Sequence, residues 1–224
     1  MVRYAARAVP WVRVGTATLV VLVLMEVVRR WPWQMWPLEG TAVGLLAGAT
    51  AWCFDETSAA VVDTAPRRLA WRCAARASGV VLLAASWIVA VLRARDGLFD
   101  HPRDVALQGL VAMLAAAAYA TWRRRAGEAT PGVTLALVVV PLLTAWALVR
   151  PFSEAFPVFP YADGSGDSGD WGTSRLLWSA LGAVALVVLV SALAEFSRRP
   201  GAAKSTRLGR ATNPSATTEQ AAPR

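Results

Sequence analysis

The chain has 224 residues, 56% of them hydrophobic, with a mean hydropathy of +0.43, a net charge of +8 and an isoelectric point near 10.9. In a soluble protein that charge would point to nucleic acid. Here the basic residues sit in short segments between long apolar runs, which leaves no soluble domain for a nucleic-acid fold and excludes that partner.

Lipid offers no partner to an unpaired backbone amide, so a hydrocarbon core of roughly 30 Å must be crossed by about 17 to 25 mostly apolar helical residues. Six stretches qualify: residues 11–28, 38–54, 73–92, 105–122, 133–149 and 176–196. The expected fold is all-α, a polytopic membrane protein whose six transmembrane helices form one domain over residues 1–197. Basic residues precede the first stretch as in a secretory signal. Arg29-Arg30-Trp31-Pro32 stands where a small-residue cleavage site would be needed, so the first helix is expected to remain in the mature protein. The next segment, Trp31 to Pro37, carries three tryptophans and reads as an anchor lying at the membrane surface.

In the second stretch Gly40, Gly44 and Gly48 recur every four residues, clearing one helical face for another backbone of the same or a neighbouring subunit. Arg76, near the start of the third, is expected to snorkel toward the headgroups. Ala115 to Ala118 give the fourth a small-residue surface, and Pro141 is expected to kink the fifth. Beyond residue 197 the chain turns to Ala, Thr, Ser, Pro and basic residues without hydrophobic periodicity, so residues 198–224 are expected to be a disordered basic cytoplasmic tail.

Orientation follows from the arginines, which stay on the cytoplasmic side during insertion. With the N-terminus inside, that side receives 16 of the 23 basic residues; the other receives 7, together with eight carboxylates that include Glu39. Both termini are therefore expected in the cytoplasm. The ratio of 22 arginines to one lysine suggests GC-rich bacterial coding and hence a bacterial plasma membrane. Cys53 and Cys73 fall at the cytoplasmic boundary outside any CxxC pair and read as free thiols.

The most informative polar stretch follows the second span. It runs from Asp55-Glu56 through Ala59 to Val62, then Thr64-Ala65-Pro66, then Arg67-Arg68, with Trp71, Arg72 and Arg76 beyond. Thr57 or Ser58 suits the cap of a short helix, Pro66 ends it, and Arg68, Arg72 and Arg76 repeat at helical spacing as a basic stripe. The order of acids, a small apolar helix, a Thr-x-Pro step and arginines resembles the loop between spans two and three in integral membrane permease subunits of ATP-binding-cassette exporters of the second type. Six spans, cytoplasmic termini, a basic lead-in around Arg3 and Arg7, and the Pro151 to Pro160 run between spans five and six are similar to the same family. The resemblance implies a loop that docks on a separate ATPase, with Asp55, Glu56, Thr64, Pro66, Arg67, Arg68, Trp71 and Arg72 at the contact. It also implies a second membrane subunit or a homodimer.

Other chemistry finds little support. No GxxxxGK[ST] motif is present and the one lysine, Lys204, lies in the tail, so any ATPase must be another polypeptide. Gly166-Asp-Ser-Gly169 is a fragment of a protease nucleophile motif without the scaffold that chemistry needs. Asp163, Ser165 and Asp167 open like a calcium loop, but the sixth position is Ser168 and the twelfth Ser174. A single histidine and two separated cysteines do not complete a zinc set. No enzyme activity, metal or cofactor is expected. The expected function is that of an exporter permease subunit, and the alternative is a non-transporting accessory or scaffold subunit of a larger membrane complex.

Overall fold

In the computed structural model, residues 8–56, 69–149, 156–160 and 170–197 are described. Six helices longer than one turn lie among them: α1 (Trp11–Arg30), α2 (Met35–Trp52), α3 (Leu69–Ala94), α4 (Pro102–Arg125), α5 (Pro131–Val149) and α6 (Trp171–Ser197). No strand occurs among the described residues. The helix ends fall within a few residues of the apolar runs. The largest extension is α6, which starts at Trp171 instead of 176 because Asp170 caps it, accepting the Thr173 N–H at 2.8 Å.

Five helices, all but α2, are long and apolar enough to cross a membrane, which marks an all-helical, multi-pass membrane protein. The exception has a physical cause. α2 carries Glu39, Thr41, Thr50 and three glycines, which lower its hydropathy, and it is enclosed by protein: α5, α4 and α1 all pack on it. Its Ala42, Val43 and Leu46 are fully buried, so the apolarity that lipid demands of an outer helix is not demanded of this one.

Gly40, Gly44 and Gly48 all face α5. A Cβ at Gly40 would lie 2.5 Å from the Ala147 Cβ, one at Gly44 3.1 Å from the Val140 Cα, and one at Gly48 3.0 Å from the Ala136 Cβ. The two helices run antiparallel and touch along their length, with Thr41 and Thr144 hydroxyls 3.0 Å apart between them. On the far side of α2, Ala116 to Ala118 and Ala120 of α4 are buried, and α6 packs mainly on α4. Trp87 of α3 is fully buried; its indole abuts Gly109 and donates to the Ala106 carbonyl of α4 at 3.2 Å.

Two charged residues expected at span ends are buried in protein. Glu39, counted among the outer carboxylates, belongs to the first turns of α2 and is 1% exposed. Arg76, expected to snorkel outward, is turned inward and buried, because a carboxylate and two carbonyls await it there. The basic stripe of Arg72 and Arg76 is accordingly an internal face of α3. Between α1 and α2 the chain makes a 3-10 turn, Pro32–Gln34, that leaves Trp31 and Trp33 exposed. Pro141 sits inside an unbroken α5.

Candidate functional site

The chain leaves α2 through a turn at Cys53 and Phe54, then extends through Asp55 and Glu56. Those two residues are strapped to the connection between α4 and α5. The Asp55 carboxylate accepts the Gly132 N–H at 2.6 Å, capping the first turn of α5, and the Glu56 N–H donates to the Ala129 carbonyl at 2.9 Å. The approach is close enough that a Cβ on Gly132 would lie 2.5 Å from the Ala51 carbonyl carbon. Burial pushes the Asp55 carboxyl above its usual range, against the Gly132 hydrogen bond and the nearby Arg13 and Arg76, which pull it down.

Glu56 is the centre of an ion cluster. Its Oε1 lies 2.8 Å from Nη2 of Arg76, and its Oε2 lies 3.6 Å from Nη1 of Arg72 and 3.7 Å from Nη2 of Arg124. All four side chains are at most 9% exposed. Arg76 also donates to the carbonyls of Phe54 (3.1 Å) and Asp55 (2.9 Å), and Arg124 to that of Glu128 (2.9 Å). Arg123 pairs with the Glu128 carboxylate. One carboxylate at the exit of α2 thus draws in cations from α3 and α4, while its neighbour holds α5. Removing Glu56 would leave three guanidinium groups buried around an empty centre, a change of the kind that costs about 3–5 kcal/mol.

The residues expected at an ATPase contact separate into two groups. Asp55, Glu56 and Arg72 belong to the internal network, and Trp71 is half-buried beside it. Thr64, Pro66, Arg67 and Arg68 lie outside the described residues. Arg124 was not anticipated as part of the site. It continues the face of Ala117, Ala120 and Thr121, all buried in α4, but small apolar residues occupy every side of that helix, so the sequence did not distinguish it from Arg123 and Arg125.

The opposite end of the bundle is tied independently. Arg175 of α6 grips Asp104 of α4 through two bonds of 2.7 and 3.0 Å, His101 approaches the same carboxylate at 3.3 Å, and the imidazole stacks on Trp171 at 4.2 Å between centroids. The Val158 carbonyl accepts from the Trp178 indole at 2.8 Å and from the Ser174 hydroxyl at 3.2 Å, which folds residues 156–160 back onto α6. The remainder of the Pro151 to Pro160 run, and Asp163, Ser165 and Asp167, lie outside the described residues. Cys53 is buried, Cys73 half-buried, and both are free. Among the described residues no three His, Cys, Asp or Glu side chains are grouped as metal ligands.

These features are not carried over from a recognisable relative: no protein-family model, curated protein or solved structure matches the chain.

Proposed function

We propose that the chain is the membrane-spanning, permease-like subunit of a bacterial ATP-driven exporter of the ATP-binding-cassette type. In this reading it crosses the plasma membrane six times, with both termini in the cytoplasm, and meets a separate ATPase through the loop joining α2 to α3. A second membrane subunit or a second copy completes the path. The observation that supports the reading best is the strap at the root of that loop. Coupling requires an element that both partners contact and that has two positions. Asp55 and Glu56 connect the loop to α3, α4 and α5 at once, so force on residues 57–68 would reach three helices instead of one. The bacterial ATPase would supply the motion; this chain, with no P-loop, would receive it.

The alternative of a non-transporting accessory subunit draws on the same network, since a wholly internal ion cluster also serves as a static clamp. Purification from the native membrane in mild detergent separates the two. The exporter reading expects a P-loop ATPase to co-purify and to be lost from an Arg67→Glu/Arg68→Glu double variant. Retention of a second membrane complex without any ATPase would favour the accessory reading. Arg72 is unsuited to this test because its reversal would disrupt the cluster around Glu56.

A further inference from the structure

A groove of about 480 Å³ runs between α1 and α3, at the end of the bundle away from Glu56. Its floor is Met25 and Ala90, both 2% exposed, and its walls are Val23 and Val89, each about half exposed to the surroundings of the bundle. The mouth is different in chemistry. Arg30 and Arg93, one from each helix, stand on its rim beside the exposed Trp31 indole. Glu26 is the only carboxylate in the lining, and it is already engaged by Arg29 through two bonds of 2.9 and 2.6 Å. Arg30 gives Glu26 only its Nε, at 3.1 Å, so its terminal nitrogens are directed elsewhere. Along this rim the cations outnumber the anion.

We propose that this groove is a binding site for one anionic phospholipid, with the phosphate held between Arg30 and Arg93 and an acyl chain lying along Val23 and Val89. Three observations converge on that occupant. The floor and walls are apolar and open sideways on helices apolar enough to cross a membrane, so a hydrocarbon chain is the ligand that meets them there. The polar groups are confined to one end, at the level where Trp31 marks the boundary between headgroup and acyl chain. The charge at that end is complementary to a phosphodiester, and a guanidinium recognises phosphate by paired N–H donors. The volume falls within the range of small-ligand sites, enough for part of one lipid and not for a protein helix. The site is separate from the loop at the other end and stands whether or not an ATPase binds there.

The test uses the full chain, delipidated in detergent and returned to phosphatidylglycerol, with lipid retention counted by native mass spectrometry. One phosphatidylglycerol should stay bound to the unmodified protein where phosphatidylcholine does not. At about fivefold for each basic residue near a lipid surface, Arg30→Gln/Arg93→Gln should weaken retention roughly 30-fold. Glu26 keeps Arg29 in that variant, so the helix retains its own ion pair. Val89→Trp, which fills the groove without altering charge, should also expel the lipid. Arg95→Gln, which removes an exposed arginine paired with Asp96 away from the groove, should leave retention unchanged. An equal loss in Arg95→Gln would reduce the effect to general charge attraction and overturn the site. So would undiminished retention in the double variant or in Val89→Trp.

Discussion

Glu56 shows how much one side chain in this protein can hold. Its carboxylate is the shared counter-ion of Arg72, Arg76 and Arg124, so Glu56→Gln should lower unfolding stability by about 3–5 kcal/mol, read as a fall in the melting midpoint of the purified protein. Two aspartates outside the membrane helices should respond to pH with opposite sign. Asp170 is held below the usual carboxylate range by the Thr173 hydroxyl and N–H. Its contribution is present above the unfolded value of about 3.9 and fades as pH falls through the depressed folded value, a slope that Asp170→Ala should remove. Asp55, raised by burial, contributes most when protonated, and that contribution is lost as pH rises through its folded value. Asp55→Asn, which keeps an oxygen for the Gly132 N–H, should flatten the dependence without loosening α5. Of this residue-level detail the sequence disclosed the types and not the pairings. Arg76 was legible as a charge at a membrane boundary, but whether it reaches outward or inward depends on Glu56, 20 positions away in a different element.

At the level of helices, the glycine pattern and its partner were learned from different sources. A four-residue repeat shows that one face of α2 is bare; it does not say which helix fills it, and the distances to Ala147, Val140 and Ala136 assign α5. Gly44→Val should therefore force α2 and α5 apart and cost about 1–3 kcal/mol. Gly15→Ala in α1 has nothing within 4 Å of the added methyl and should raise stability by up to about 1 kcal/mol through helix propensity. Parallel thermal melts of the two variants check the contrast. Element boundaries were readable to within a few residues because hydropathy changes sharply at arginines and prolines. α6 began earlier than expected because a cap, and not hydropathy, sets its first turn.

For the molecule as a whole, the expected orientation is open to direct measurement. Cys53 is fully buried and a poor reporter, so cysteines introduced at Arg95 and Ser205 serve better, in a background with Cys73→Ala. A membrane-impermeant maleimide should label the Arg95 position in intact cells and the Ser205 position only after lysis; the reverse pattern would invert the map and remove the loop from the side where an ATPase works. The sequence alone determined that this is a helical membrane protein, because the length and apolarity needed to cross lipid are local properties of a continuous segment. It also pointed to the α2–α3 connection as the polar stretch of greatest interest. Only the tertiary structure decided that α2 is the enclosed helix, that Glu56 gathers three arginines, and that α1 and α3 leave a basic-lipped groove between them. Each of those depends on which faces meet, and ion pairing and close packing act over a few ångströms between residues far apart in the chain.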